Sequence, residues 1–211
     1  MTTPPDLDLL TIGHSNLPAD QFLARLKAHG VTAIADVRSV PFSRRFPWFS
    51  NRTLSERLQS KGIAYVTMGD TLGGRPANRA LYCDGIADYE AMASAADFHA
   101  GIDRVMAEMI RHRLCLMCAE REPLDCHRCL LVGRAITSRG CSIGHILGDG
   151  SIEPHSATEE RLLAGLRPEG DLFADRELRL AEAYRHRAHR IAARLSDRVR
   201  PGRMPKAFMS S

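Results

Sequence analysis

The sequence predicts an α/β fold of three layers, with a mostly parallel sheet of about five strands and a helical C-terminal extension. Along the first 155 residues, short apolar runs alternate with amphipathic stretches, which is typical of strands joined by helices. After His155 the chain becomes rich in arginine and its apolar residues recur at helical spacing. We therefore predict an α/β domain over residues 1–155 and a helical, Arg-rich extension over 156–211.

Five apolar runs are the predicted strands, and polar or turn-forming residues close each of them. The second run, VTAIADV, is rich in the β-branched side chains that favour strands. The fourth run, LCLM, is apolar throughout, as in a strand covered on both faces. In chain order the runs are 9–13, 31–37, 63–68, 114–117 and 142–147. Because helices separate the runs, we expect parallel pairing.

Helix start and stop signals separate the first three runs. Pro18 stands in the first turn of a predicted helix, and Gly30 ends it. Thr53 or Ser55 begins a second predicted helix, and Gly62 stops that one. These start and stop signals predict two helices, each of which connects one strand to the next.

Later stretches predict further helices and two irregular segments. Residues 89–112 carry one apolar stripe and form one or two helices. Asp125 is the predicted N-cap of a helix over 126–138, which Gly140 ends. The irregular segments are 39–51, which holds two prolines and the only tryptophan, and the stretch from the glycine pair at 73–74 to residue 88.

The composition is that of an ordinary globular protein, with 44% hydrophobic and 26% charged residues, which excludes a disordered chain. No apolar run approaches the roughly 18 residues that span a bilayer. Residues 1–8 lack the basic and apolar segments of a signal peptide. We therefore expect a cytoplasmic enzyme or binding protein with no membrane partner. There, the six cysteines are expected to be thiols or ligands rather than disulfides.

The net charge of +4 is unevenly distributed. Residues 176–206 contain ten basic and three acidic residues, a charge of +7, so the rest of the chain carries −3. Helical spacing predicts that this segment buries one apolar stripe, formed by Tyr184, Ala188, Ile191 and Leu195. Its basic side either binds nucleic acid through phosphate contacts or is a solvated face.

Reactive residues collect at the predicted strand ends. His14 and Ser15 follow the first strand, Arg38 follows the second, and Cys118 and Glu120 follow the fourth. In an open α/β sheet, ligands bind beyond the carboxyl ends of the strands. The shared placement of these residues predicts one binding crevice.

The densest reactive segment is CAEREPLDCHR at 118–128. A thiol in the first turn of a helix meets unpaired backbone N–H groups, and an adjacent arginine favours its thiolate, so Cys126 is a candidate low-pKa thiol. Cys118 lies across the short loop from it. The two are a candidate nucleophile and partner, a redox pair or, with His127 and Glu120, a metal site. The alternative is that both are small buried core residues.

The paired C-x-x-C spacing in this region also resembles a four-cysteine zinc site. Cys115 and Cys118 form one pair, and Cys126 and Cys129 form the other. Residues three apart on a strand point to opposite faces, and no glycine or polar break supplies a turn between Cys115 and Cys118. We therefore do not expect the four cysteines to share one zinc ion.

Other strand-end residues have alternative interpretations. His14 is a general base, a metal ligand or a hydrogen-bonded loop residue, and Arg38 either clamps an anion or pairs with Asp36. His145 is expected to be a core histidine. The predicted catalytic residues are Cys118, Glu120, Cys126, His127 and His14. The predicted substrate-binding residues are Ser15, Arg38, Gly73, Gly74 and Arg128.

The order of motifs along the chain resembles a known family. The motifs are TIGHS at 11–15, DVR at 36–38, LGG at 72–74, CAE…P…CHR at 118–128 and HI at 145–146. Over residues 8–155 this series resembles the DUF488 family of prokaryotic proteins of unknown function. The resemblance implies a small cytosolic α/β domain and supports treating Cys118, Glu120, Cys126, His127 and Arg128 as a unit. It implies no particular reaction.

Three functional hypotheses follow. The first is an enzyme whose Cys/His/Glu/Arg crevice acts on an anionic, nucleotide-like or phosphorylated small molecule. The second is a metal-binding or redox-sensing domain, with Fe or Zn held by Cys118, Cys126 and His127, or with the two thiols forming a reversible disulfide. The third is a nucleic-acid-associated module that uses residues 176–206.

Overall fold

The computed structural model describes residues 7–165 and 175–195. The strands, in chain order, are β1 (Leu9–Gly13), β2 (Ala33–Asp36), β3 (Ala64–Thr67), β4 (Tyr82–Cys83), β5 (Ile86–Ala87), β6 (Leu114–Cys118), β7 (Ile143–Ile146) and β8 (Ile152–Pro154). The α-helices are α1 (Ala19–Ala28), α2 (Asn51–Gln59), α3 (Gly69–Leu72), α4 (Tyr89–Ala93), α5 (Ala96–Arg111), α6 (Arg134–Thr137), α7 (His155–Ala164) and α8 (Arg176–Ile191). Within the described residues, three 3₁₀ turns (Pro47–Phe49, Arg79–Leu81 and Pro123–Asp125) and a π-helical segment (Arg128–Gly133) complete the elements.

The central sheet has six strands in the order β3-β2-β6-β1-β7-β8. The first five are parallel to one another, and β8 is antiparallel to β7. The predicted mostly parallel α/β sheet is therefore confirmed, with one strand more than expected. The additional strand, β8, has three residues and ends in proline, so it is too short for a hydrophobic pattern to predict it. The small hairpin β4–β5 was also not predicted, because each strand has two residues.

Two hydrophobic clusters cover the two faces of the sheet. One contains Phe22 of α1, Leu58 of α2 and alternate residues of β1 such as Leu10. The other contains Ile102 of α5 and Tyr184 of α8, together with residues from the opposite side of the strands. The three-layer arrangement is therefore confirmed.

The helix that follows Cys126 begins differently from the prediction. Pro123 and the next two residues form a 3₁₀ turn, and Cys126 is extended, with φ −139° and ψ 137°. The prediction that Asp125 caps this helix is wrong, because the proline-initiated turn absorbs Asp125 and its carboxylate pairs with Arg187. The Cys126 Sγ instead accepts the backbone N–H of Arg128 at 3.4 Å. The thiol therefore lies directly at the helix start.

The C-terminal extension packs on the domain through the predicted stripe. Tyr184 and Ala188 are buried in the same cluster as the sheet. Beyond α8, the backbone N–H of Ala87 in β5 donates to the carbonyl of Ala193. The boundary at 155/156 stays a prediction, and residues 196–206 of the predicted nucleic-acid-binding segment lie outside the described residues. Among the described helices, none combines the length and apolar composition needed to cross a membrane.

The chain connections open a crevice on each side of β6. The connections after β1 and β2 run through α1 and α2 on one face of the sheet, whereas the connection after β6 runs through the 128–137 helix on the other face. Neighbouring parallel strands whose connections leave on opposite faces separate at their carboxyl ends, and ligands bind there. Two crevices therefore flank β6, one towards β2 and one towards β1.

Candidate functional site

Four side chains converge at the end of β6, and we call Cys118, Glu120, Cys126 and His127 the thiol cluster. Glu120 Oε2 lies 2.9 Å from Cys118 Sγ and 3.2 Å from Cys126 Sγ. His127 Nδ1 lies 3.5 Å from Cys118 Sγ and 3.9 Å from Cys126 Sγ. One donor atom from each residue lies within 4.8 Å of the other three. Four predicted catalytic residues are therefore brought together.

The imidazole of His127 has a fixed orientation. Its Nε2 lies 2.9 Å from the carbonyl oxygen of Val37, which only accepts, so Nε2 carries a proton. Nδ1 then faces the two sulfur atoms. A β-carbon on Gly74 would lie 2.8 Å from the ring, so glycine is needed for this close approach. The contact gives one of the two predicted glycines a role beside the cluster.

The two thiols have opposite pKa shifts. Burial alone would raise the pKa of Cys126, but a hydrogen bond from Cys118 and the positive charges of Arg128 and His127 hold it well below its usual value. Burial, together with the negative charge on Cys126, raises the pKa of Cys118 well above its usual value. Burial and the Cys126 charge also raise the pKa of Glu120. Of the two thiols, Cys126 is therefore the one that ionises more readily.

Arg128 is fully buried beneath the cluster. Its Nη1 donates to the carbonyl of Glu120 at 2.6 Å and its Nη2 to that of Arg121 at 3.0 Å. Its Nε donates to Thr11 Oγ1 at 3.3 Å. Its bonds therefore hold the loop after β6, and its charge stabilises the nearby thiolate. A contact between Arg128 and substrate stays a prediction.

The crevice between β6 and β2 is a cavity of about 750 Å³ that we call the thiol pocket. Among its lining residues are Arg38, Gly74, Cys118, Glu120 and His127. Cys126 is not part of the lining and is 1% exposed. The thiol cluster therefore presents one sulfur, one imidazole and one carboxylate to the pocket and keeps the second sulfur behind them.

Arg38 and His14 form the wall between the two crevices. The Arg38 guanidinium donates to the Asp36 carboxylate from Nε, at 2.8 and 3.1 Å, and from Nη2, at 2.6 Å. Its Nη1 lies 3.2 Å from His14 Nε2, while His14 Nδ1 lies 3.0 Å from the Ser15 carbonyl. Burial, with the positive charge of Arg38, lowers the pKa of His14 to about 4. His14 is therefore neutral near pH 7, and its unprotonated nitrogen already accepts a hydrogen bond.

The crevice between β6 and β1 is a cavity of about 440 Å³ that we call the basic cleft. It is lined by residues 14–16, by Ser43, Arg45 and Phe46, and by Ala119 and Arg121. The predicted substrate-binding residue Ser15 lies here, with φ at 45°. Ala119 lines both cavities, so the two adjoin.

A second group of ligand-type residues lies away from both cavities, and we call Cys129, His145 and His155 the histidine cluster. His145 Nε2 lies 2.9 Å from His155 Nδ1, and Cys129 Sγ lies 4.0 Å from the same nitrogen. All three residues are buried. His145 therefore lies in the core, as expected from the sequence.

Several pocket residues carried no sequence signal of function. Tyr89 and Ala192 line the thiol pocket from α4 and from the end of the extension. Ser39 Oγ accepts the backbone N–H of Arg75 beside them. These residues come from separate parts of the chain and have no motif spacing, so only the fold brings them together. For Ser39 alone, the position just after β2 could have suggested a place at the strand ends.

A family model described as a domain of unknown function, DUF488, matches residues 18–135. The matched segment runs from α1 into α6 and contains the whole thiol cluster. No curated protein and no solved structure matches the chain. Because the matched segment covers more than half of the sequence, the chain belongs to the DUF488 family.

Proposed function

We propose that this DUF488 protein is a metal-dependent enzyme that acts on an anionic, phosphorylated or nucleotide-like small molecule. Cys118, Cys126 and His127 hold a zinc or iron ion, and Glu120 serves the reacting group in the thiol pocket. The observation that carries the proposal is the convergence of four donor atoms within 4.8 Å of one another. The proposal combines the enzyme hypothesis and the metal-binding hypothesis that the sequence left open.

The donor spacing fits a tetrahedral ion. With a Zn–S distance of about 2.3 Å and a Zn–N distance of about 2.0 Å, tetrahedral geometry separates sulfur and nitrogen by about 3.5 Å. The two sulfur–nitrogen distances are 3.5 and 3.9 Å. The Nε2–H bond to Val37 also orients the imidazole as metal-bound histidines are usually oriented, with the other nitrogen free for the ion.

The charges of the cluster support a divalent cation. Three groups that become negative on deprotonation, two thiols and a carboxyl, surround one point. Among the described residues no carboxylate forms an ion pair with the buried Arg128. Burial alone would lower the pKa of its guanidinium, but negative charge on Cys126 and Cys118 raises it. Two thiolates, a carboxylate, a divalent ion and Arg128 sum to zero charge. Metal binding to thiols releases their protons, so affinity is expected to fall at low pH.

Access argues against Cys126 as a free nucleophile. A nucleophilic thiolate must meet substrate, yet Cys126 is 1% exposed and lies outside the pocket lining. As a ligand it needs no access, because its charge acts on the ion in front of it. The same burial argues against rapid exchange of a Cys118–Cys126 disulfide with external thiols.

Glu120 is suited to proton transfer. When bound, an ion held by two thiolates and an imidazole acts as a Lewis acid and lowers the pKa of a bound water. Glu120 Oε2 faces the cluster while the residue as a whole is exposed to the pocket. It therefore accepts a proton at Oε2 and passes it to the substrate. Arg75 is a cation in the lining of the same pocket and favours an anionic substrate, whereas the charge of Arg38 is balanced by Asp36.

The nucleic-acid alternative stays a prediction. Within the described part of the segment, Arg176 pairs with Glu160 and Arg187 pairs with Asp125, so part of its charge is neutralised. Binding that lacks a steep salt dependence, or that survives deletion of residues 176–211, argues against this alternative.

The proposal is tested by metal content and turnover measured together. Protein purified without oxygen is analysed for zinc and iron, and hydrolysis of p-nitrophenyl phosphate and bis(p-nitrophenyl) phosphate is followed. We expect one ion per chain in the wild type and none in Cys118→Ala or Cys126→Ala. Glu120→Gln is expected to keep the ion and to lose about a hundredfold or more in turnover.

Two matched variants serve as controls. Cys141→Ala removes a half-exposed thiol that contacts Met106, and Asp125→Asn removes the other carboxylate of the pocket. Both are expected to retain the ion. An ion that persists in Cys126→Ala, or a metal-free wild type with full turnover, contradicts the proposal.

A further inference from the structure

The basic cleft is a second cavity at the carboxyl edge of the sheet, and the proposed function leaves it without a role. It occupies the crevice between β6 and β1, just as the thiol pocket occupies the crevice between β6 and β2. Both are positions where connections leave neighbouring strands on opposite faces, which is where α/β sheets bind ligands.

The charge of the cleft is of one sign. Arg45 and Arg121 line it, and no acidic residue does. Among residues 7–165 and 175–195, neither guanidinium has a carboxylate within ion-pair distance. Ser15, Ser43 and Asn16 add neutral hydrogen-bonding groups. Two cations with hydroxyl and amide neighbours in a concave site favour a phosphate group.

Arg121 is positioned in advance of any ligand. Its Nη2 donates to Asn16 Oδ1 at 2.5 Å. A β-carbon on Gly148 would lie 3.1 Å from the Arg121 side chain, so the arginine stem rests on the backbone of the loop after β7. The two contacts leave the guanidinium at the cleft with little freedom, which lowers the entropy cost of binding an anion.

The backbone beside Asn16 is held in a costly conformation. Ser15 has a φ of 45°. This is the left-handed region of backbone conformation, which residues other than glycine, asparagine and aspartate rarely adopt. The Ser15 N–H donates to the carbonyl of Ala119 at 2.8 Å, which ties the β1 loop to the β6 loop. Strain of this kind is concentrated at binding sites, and the strained residue Ser15 lines the cleft.

The cleft and the thiol pocket adjoin. Ala119 lines both, Glu120 lines the thiol pocket, and Arg121 lines the cleft, so the loop after β6 faces the two cavities in turn. The loop after β2 does the same, with Phe42 in the pocket and Phe46 in the cleft. A single elongated molecule can therefore contact both.

We propose that the basic cleft binds a phosphate group of the substrate whose reacting group occupies the thiol pocket. The assignment of both cavities to one molecule rests on the proposed function, whereas phosphate binding by the cleft does not. The shared chemistry is a phosphoryl oxygen anion, carried by a phosphate monoester such as a nucleotide or by the phosphodiester of a short single strand.

The chain supplies its own reporter for this site. Trp48 is the only tryptophan, and its ring centroid lies 5.6 Å from that of Phe46 in the cleft. The full-length protein is titrated with inorganic phosphate, thymidine 5′-monophosphate and single-stranded tetrathymidylate, and Trp48 fluorescence is recorded. Sodium chloride at equal ionic strength is the blank.

The variants are Arg45→Gln, Arg121→Gln and a control, Arg111→Gln. The side chain of Arg111 is 71% exposed. Arg111 ends α5 just before β6 begins, whereas the cleft lies beyond the carboxyl end of β6. We expect saturable binding of all three probes in the wild type. Each cleft variant is expected to weaken it about tenfold, and the slope of log Kd against log salt falls by about one. Arg111→Gln is expected to match the wild type.

The probes distinguish the two sources of phosphate. Equal affinity for the mononucleotide and tetrathymidylate assigns the cleft to a phosphate monoester, and tighter binding of tetrathymidylate assigns it to a phosphodiester chain. Either result supports the proposal. No saturable signal with any probe, or identical affinities in Arg121→Gln and Arg111→Gln, overturns it.

A fourth variant separates this proposal from the metal centre. Cys126→Ala is titrated with phosphate alongside an analysis of its metal content. Retained phosphate binding in Cys126→Ala supports a cleft that acts independently of the ion. A wild type that binds the ion but no phosphate probe refutes the cleft and leaves the proposed function standing.

Discussion

The thiol cluster and the histidine cluster contain similar residue types and lie on the same side of the sheet, yet their atoms are arranged differently. In the thiol cluster, His127 directs Nε2 to a backbone carbonyl and leaves Nδ1 facing the sulfurs. In the histidine cluster, the ring nitrogens of His145 and His155 bond to each other at 2.9 Å. One cluster opens on a 750 Å³ pocket and the other is sealed.

The bonds of the histidine cluster form a continuous chain. Arg128 donates to Thr11, and Thr11 Oγ1 lies 2.7 Å from His145 Nδ1. On the far side, His155 Nε2 lies 2.9 Å from the Tyr184 hydroxyl, which donates to a Glu159 oxygen at 3.0 Å. Since the arginine can only donate and the carboxylate can only accept, every proton in the chain has a partner.

The different arrangements of the two clusters show that the proximity of ligand-type residues does not by itself make a metal site. In the histidine cluster both nitrogens of each ring are engaged, and an ion would have to break those bonds. In the thiol cluster, the sulfur, imidazole and carboxylate atoms contact one another around one point, so an ion would replace contacts within the cluster. Four predictions test the contrast between the two clusters.

The largest expected effect is stabilisation by metal. Zinc at a thousand times its Kd is expected to raise the unfolding free energy of the wild type by about 4 kcal/mol. Cys126→Ala should lose this gain and Cys129→Ala should keep it. Urea unfolding with and without zinc measures both. Equal gains in the two variants would remove the distinction between the clusters.

The second prediction concerns pH and the histidine cluster. Burial lowers the pKa of His155 from 6.5 to about 4. The unfolded chain therefore takes up a proton on this histidine at a pH where the folded chain does not, so stability falls as pH drops from 6.5 towards 4. His155 should account for a loss of about 2 kcal/mol between pH 7.5 and pH 5.

Urea unfolding at the two pH values measures this loss, and His155→Gln is the comparison variant. The variant should be less stable at pH 7.5 and should show a shallower pH dependence. An unchanged pH dependence in His155→Gln would mean that His155 is not the group that titrates.

A smaller effect is expected from Gly74→Ala. The added methyl would lie 2.8 Å from the His127 ring, which must move to accommodate it. We expect metal affinity to weaken about tenfold, or about 1.4 kcal/mol, as judged by competition with a chelator. Gly165→Ala is the control, because its nearest neighbours lie at 3.5 Å or beyond. Equal affinities in the two variants would show that the ring is not held by this contact.

The smallest effect is expected from Tyr184→Phe. Loss of the hydroxyl leaves the buried His155 Nε2 without its partner, at a cost of about 1 kcal/mol. Metal content should stay at the wild-type level, because the chain of bonds satisfies buried groups rather than holding an ion. A loss of metal in Tyr184→Phe would instead join the two clusters into one functional unit.

The strand-end placement of the reactive residues was predictable, because parallel strands bring their carboxyl ends to one edge. The register Gly13 with Cys118 and Asp36 with Met117 gives that placement its geometry. The direction of the His127 ring was not predictable, since it depends on Val37, a residue ninety positions away. Adjacent residues at a helix start point in different directions, so sequence alone does not select one.

Arg128 has one role that the sequence predicts and one that it does not. Its place beside Cys126 predicts that its charge lowers the pKa of that thiol, as the structure supports. Its hydrogen bonds to Thr11 of β1 and to two loop carbonyls depend on the fold and were not predictable. Asp125 does not cap the helix because Pro123 starts a turn that includes it, so there a local turn overrode a residue preference.

The most direct test of the metal centre is the X-ray absorption spectrum of the zinc-loaded protein. We expect two sulfur neighbours at about 2.3 Å and two nitrogen or oxygen neighbours at about 2.0 Å. Cys129→Ala should give the same spectrum as the wild type. A shell of nitrogen and oxygen alone, or a spectrum that changes in Cys129→Ala, would contradict the assignment of the ion to the thiol cluster.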